Sequence, residues 1–126
     1  MKIEKTRNTP YIFLDKVECT LDIKGVSYPE HPGYFYQPLL EETSKCLNYL
    51  QDEVITINIA LEMMNSTSQK YILFMINDFV NSPNNIVVNW YYEKDDEDME
   101  EEGEVFKESF PKIQFNLHQV KDIKTI

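Results

Sequence analysis

Asn65-Ser66-Thr67-Ser68-Gln69-Lys70 sets three hydroxyls in a row between two strongly patterned segments. Upstream, Val54 to Ala60 alternates, with Ile55, Ile57 and Ile59 on one side and Thr56 and Asn58 on the other, the period of a β-strand. Downstream, Tyr71 to Val80 is apolar at helical spacing. The hydroxyls therefore fall where a helix begins. Free backbone N–H groups and the positive end of the helix dipole favour a negative group there. A phosphate suits that place, either bound as an ion or written covalently onto a side chain. The ordinary structural explanation is capping. Ser66-x-x-Gln69 matches a capping box, with Ser66 at the N-cap and Gln69 three residues on. Capping and phosphorylation are compatible, since a hydroxyl at a loop–helix junction can face solvent.

The elements that position the quartet follow from the same patterning. Tyr11–Leu14 and Val17–Lys24 read as a β-hairpin that ends at Lys24-Gly25. The turn-rich stretch Ser27-Tyr28-Pro29-Glu30-His31-Pro32-Gly33 leads into a helix from about Tyr34 to Leu50, with Pro38 expected in its first turn. In that helix Phe35, Leu39, Cys46 and Leu50 form one apolar stripe, flanked by Tyr36, Leu40 and Leu47. A third strand covers Glu53–Ala60 and a second helix about Thr67–Val80, stopped by Asn81-Ser82-Pro83-Asn84-Asn85. Ile86–Tyr92 is nearly continuously apolar and reads as a central strand covered on both faces. A third helix spans Asp95–Lys107, with Met99, Val105 and Phe106 as its apolar contacts. A last strand carries Ile113, Phe115 and Leu117. The order is β-β-α-β-α-β-α-β, a single α/β domain with a mixed sheet and three helices. Its core spans about residues 8–118, and residues 119–126 read as a frayed tail.

Composition narrows the function. The 126 residues carry a net charge of −10. Residues 93–104 hold nine acids and one lysine, a net −8, so the rest of the chain is nearly neutral at −2. No basic patch exists to neutralise phosphates, which argues against nucleic acid and against an anionic membrane surface. The acidic run lacks the alternating ligands and central glycine of a calcium loop. His31 and His118 have no ligand-spaced partners, and no Gly-rich phosphate loop or nucleophile–base set is present. The reading is a non-enzyme without metal or cofactor. Cys19 and Cys46 read as separate reduced thiols. No signal-peptide run is seen, and the longest apolar run, Tyr71–Ile76, is far short of a membrane span, so a cytoplasmic protein is expected.

Four segments together resemble the SiaC family of bacterial regulatory phosphoproteins. They are Asn8-Thr9-Pro10; Ser27-Tyr28-Pro29-Glu30 with Phe35-Tyr36-x-Pro38-Leu39-Leu40; Asn65-Ser66-Thr67-Ser68-x-Lys70; and Trp90-Tyr91-Tyr92-Glu93-x-Asp95-Asp96-Glu97-Asp98-Met99 with the acids that follow. The resemblance implies a fold like that of STAS domains and anti-sigma-factor antagonists. It also implies a phosphoacceptor at the start of the second helix, a dedicated kinase, a PP2C-type phosphatase, and an output partner such as a diguanylate cyclase. The family's acceptor is a threonine, and its position is Ser66 here, with Thr67 and Ser68 as alternative acceptors. Asn65, Gln69 and Lys70 form the surroundings of that site. His31 stands where the family has an asparagine. Tyr28, Pro29, Glu30, Asp95 and Asp96 are the candidates for a partner-binding face. The rival from another class is a small-ligand or nucleotide-binding module that uses the same helix end.

Overall fold

The computed structural model describes residues 1–126. Six strands lie side by side in chain order: β1 (Lys2–Ile3), β2 (Tyr11–Asp15), β3 (Thr20–Ser27), β4 (Val54–Met64), β5 (Asn85–Glu93) and β6 (Gln114–Val120). β1, β2 and β3 pair antiparallel, while β3 through β6 are parallel. Helices α1 (Pro32–Leu47), α2 (Ser66–Val80) and α3 (Glu97–Ser109) carry the chain from one parallel strand to the next. Right-handed crossovers that step in one direction across the sheet put all three helices on one face. The expected α/β class holds, with β1 added to the expected order. Two residues are too short to show any alternation, and only pairing with Phe13 and Ile12 makes them a strand.

The core lies between that sheet face and the helices. Leu21, Ile57 and Val88 stand in one row across three strands, with Phe115 beside them, and Ile72, Met75, Ile76 and Phe79 of α2 close over it. The other face stays open, so β5 alternates buried and half-buried residues instead of being covered on both faces. On that open face, side-chain amides run across four strands. Asn58 donates to Asp22 (2.9 Å), Asn89 to Asn58 (3.0 Å) and Asn116 to Asn89 (3.1 Å), while His118 Nε2 lies 2.9 Å from Asn89 Oδ1 and stacks on Tyr91.

Several boundaries differ from the sequence expectation. Val17 is exposed in the turn before β3, because Cys19 takes a left-handed conformation (φ 56°) that delays the strand to Thr20. β3 continues through Gly25, which sits at φ 111° beside a register shift where any other residue would be strained. Pro32 takes the helix start, and Pro38 lies inside α1 on its exposed side. α1 buries Tyr36, Leu39, Thr43 and Cys46, whereas Phe35, Leu40, Leu47 and Leu50 are only half-buried. α3 begins two residues late, capped by the Asp96 carboxylate on the Met99 N–H (3.1 Å). Val105 is exposed, and Gly103 takes its place against the core. The chain end is no frayed tail: Ile123–Thr125 forms a 3-10 turn, with Ile123 buried and its N–H donating to Glu93 (3.0 Å). Both cysteines are free, and burial pushes both thiols up.

Candidate functional site

The C-terminal ends of β3 and β4 bring the motif segments together. Ser27 and Met64 are register partners, and the Asn65 N–H donates to the Ser27 carbonyl (3.0 Å). The Tyr28 N–H donates to the Asn8 carbonyl (2.8 Å). The segments at 8–10, 27–30 and 65–68 thus meet at one edge of the sheet, where open α/β sheets place their sites.

That backbone tie holds Asn65 extended (φ −84°, ψ 168°), and its side chain caps α2 by accepting from the Ser68 N–H (2.8 Å). The cap is therefore Asn65, one residue before the expected Ser66. Gln69 is not a box partner; its amide reaches across to the Glu102 carboxylate of α3. The shift frees Ser66. It is the first helical residue, it is exposed, and its hydroxyl is not used for capping. The N–H groups of Ser66 and Thr67 have no protein acceptor. Lys70 stands one turn on, exposed, with its ammonium 5.7 Å from the Phe74 ring centroid.

The three hydroxyls are not equivalent. Ser66 and Thr67 face solvent, whereas Ser68 is fully buried. Ser68 Oγ lies beside the Tyr36 hydroxyl without a well-formed hydrogen bond, and Tyr36 pairs with the buried Ser27 hydroxyl. Burial pushes the Tyr36 hydroxyl up to about 12, against the opposing pull of Ser27 and Ser68. Tyr36 also stacks on Tyr71 of α2, with centroids 5.7 Å apart and planes 11° from parallel. In the sequence Tyr36 reads as ordinary core and Ser27 as part of a turn-rich stretch, since nothing local marks a strand-end hydroxyl that packs against a helix.

The proposed partner-face residues divide. Tyr28 is half-exposed and Glu30 exposed beside the quartet, while Pro29 is buried. Asp96 lines a groove of about 500 Å³ between the starts of α2 and α3, together with Gln69, Met63 and Met64. Asp95 is exposed and is not part of that groove. No three His, Cys, Asp or Glu side chains converge as a metal site would need. Met63 and Met64, which immediately precede the quartet, lie beyond the alternating stretch that ends at Ala60, so no local pattern marks them.

A family model described as "SiaC family regulatory phosphoprotein" matches residues 3–120. The chain belongs to the SiaC family. Three solved structures share its fold. The SiaC chain in a complex of the diguanylate cyclase SiaD with its activator SiaC, from Pseudomonas aeruginosa, is 22% identical with a TM-score of 0.86, covering 95% of this chain and 99% of that one. SiaC of Pseudomonas aeruginosa gives 21% and 0.76, covering 97% and 98%. Apo-SiaC of the same organism gives 23% and 0.74, covering 94% and 96%. No curated protein matches significantly. The four segments that carry the SiaC resemblance contribute most of the site just described. They supply the cap, the exposed hydroxyls, the buried Ser27–Tyr36–Ser68 cluster and the α3 wall of the groove.

Proposed function

We propose that this SiaC-family protein is a non-enzymatic cytoplasmic switch, phosphorylated on Ser66 by a cognate kinase and reset by a PP2C-type phosphatase. Its output partner is a diguanylate cyclase. The observation that carries this reading is the division of labour in the first turn of α2. Asn65 does the capping, Ser68 is buried, and Ser66 is left exposed with a free hydroxyl. A phosphoryl group on Ser66 would add about −1.5 to −2 charges at a helix start with two unpaired N–H groups and within reach of Lys70 at i+4. The same charge falls next to the acidic groove, so one modification changes the potential of the whole edge. The family membership supports the phosphoprotein reading, and the structure of SiaC with SiaD supports a cyclase as the partner class. The rival ligand-binding reading is disfavoured by charge, because the groove beside the helix start is walled by carboxylates that repel a nucleotide.

Co-expression with the cognate kinase, followed by intact-mass measurement and peptide mapping, tests the proposal. The expected result is one phosphate on Ser66, lost in Ser66→Ala. Absence of phosphate from Ser66 and Thr67 overturns it. A phosphate on Thr67 moves the acceptor by one residue and leaves the switch reading standing.

A further inference from the structure

The groove at the C-terminal edge of the sheet has a second half. The depression of about 500 Å³ beside Gln69 and one of about 320 Å³ beside Val26 share Glu62, Met63 and Asp96, so the two halves of the trough adjoin across those residues. Its floor is apolar, with Met63 exposed at 54%, Met64 half-buried and Ile123 closing the far end. Its walls are acidic, and no lysine or arginine lines either half. Some carboxylates already have partners: Glu62 pairs with Lys124 (3.7 Å), Asp96 caps α3, and Glu102 accepts from Gln69. Asp98 and Glu101 have no protein partner and project from the first turns of α3.

We infer that this trough is the docking site for a basic amphipathic segment of a partner protein, with apolar side chains set on the methionine floor and Lys or Arg opposite Asp98 and Glu101. Unbranched, polarisable methionine side chains adapt to an inserted apolar face, and an acidic rim selects a cationic one. Charge complementarity decides the occupant. A second copy of this chain carries net −10 and would bring more carboxylates to the rim, and an anionic ligand is repelled. The inference rests on the chain being a partner-binding regulator, but not on phosphorylation.

The test uses full-length protein and fluorescein-labelled model peptides read by anisotropy. The probes are an amphipathic Lys/Leu peptide, its Glu/Leu counterpart and a scrambled Lys/Leu peptide. The amphipathic Lys/Leu peptide is expected to bind best, with affinity falling as salt rises. Asp98→Lys with Glu101→Lys should weaken it at least about tenfold, since each reversal sets like charges together. Glu18→Lys with Glu41→Lys changes the net charge equally, away from the trough, and should have far less effect. Met63→Gln should weaken binding without any change in charge. Equal loss in both double variants, equal binding of the scrambled or acidic peptide, or no binding at all would overturn the inference. These measurements use the unmodified protein, so their failure is separate from a failure to find phosphate on Ser66.

Discussion

At the scale of single residues, the first turn of α2 separates two jobs that the sequence left overlapping. Asn65 caps, and Ser66 is free. Asn65→Ala should therefore destabilise the protein by about 1 kcal/mol in urea unfolding, while Ser66→Ala should change it little. The opposite result would return the cap to Ser66. Tyr36 gives a second prediction, through pH. Its folded pKa is about 12 against an ordinary 10.0. As pH rises, the unfolded chain gives up that proton first. The stability contribution is therefore complete below about pH 10 and is lost as pH climbs toward 12, at up to about 1.4 kcal/mol per pH unit. Urea titrations at a series of alkaline pH values should show a shallower loss in Tyr36→Phe than in the parent. Parallel slopes would mean that Tyr36 does not carry the effect.

At the scale of elements, α3 is held by a close approach. A Cβ built on Gly103 would stand 2.6 Å from Leu117 Cδ2 and 2.7 Å from the Trp90 ring. Trp90 is fully buried and donates its indole N–H to the Met99 carbonyl (3.0 Å), so it has little room to give. In an exposed helix Gly→Ala gains about 1 kcal/mol. Here overpacking should outweigh that gain, and Gly103→Ala should lower stability by about 1–3 kcal/mol and lower the melting temperature. A rise in melting temperature would show that α3 can slide away from β5 and β6. Because α3 also forms one wall of the trough, such a slide would alter the docking surface as well.

At the scale of the whole molecule, the sheet presents two different faces. One carries the helices and the apolar core, and the other carries the amide row from Asp22 to Asn116. Asn89 joins the row by donating to Asn58 and accepting from Asn116 and His118. Asn89→Ala should cost about 1–2 kcal/mol, since partners in a half-buried row lose a protein contact and regain only part of it from water. Chemical denaturation of the single variant measures this. A neutral effect would mean that water replaces the row fully. The charge is unevenly spread too. α3 and its approach hold most of the net −10, and the fold sets that acidity beside the exposed hydroxyls of α2 and over a methionine floor.

Local patterning determined much of this. Alternation in 54–60 and helical spacing in 71–80 located most of β4 and α2, because those periods depend only on near neighbours along the chain, whereas pairing with β3 carries β4 on past Ala60 to Met64. The polar quartet, the acidic segment and the family resemblance were legible for the same reason. The short β1 strand, the open outer face of β5 and the folded chain end were not. Each depends on a partner far away in sequence: Phe13 for Lys2, the absence of any covering layer for Val87 and Asn89, and Glu93 for Ile123. The site divides the same way. The sequence placed hydroxyls at a helix start, but only the tie from Asn65 to Ser27 decided which residue caps, and only packing against Tyr36 decided which hydroxyl is buried. Composition announced nine acids within residues 93–104; the crossover from β5 through α3 decided that Asp96, Asp98, Glu101 and Glu102 among them would wall a groove floored by Met63 and Met64. Periodicity is local and survives in one dimension. Burial and adjacency come from pairing segments that lie tens of residues apart, and they exist only once the sheet has formed.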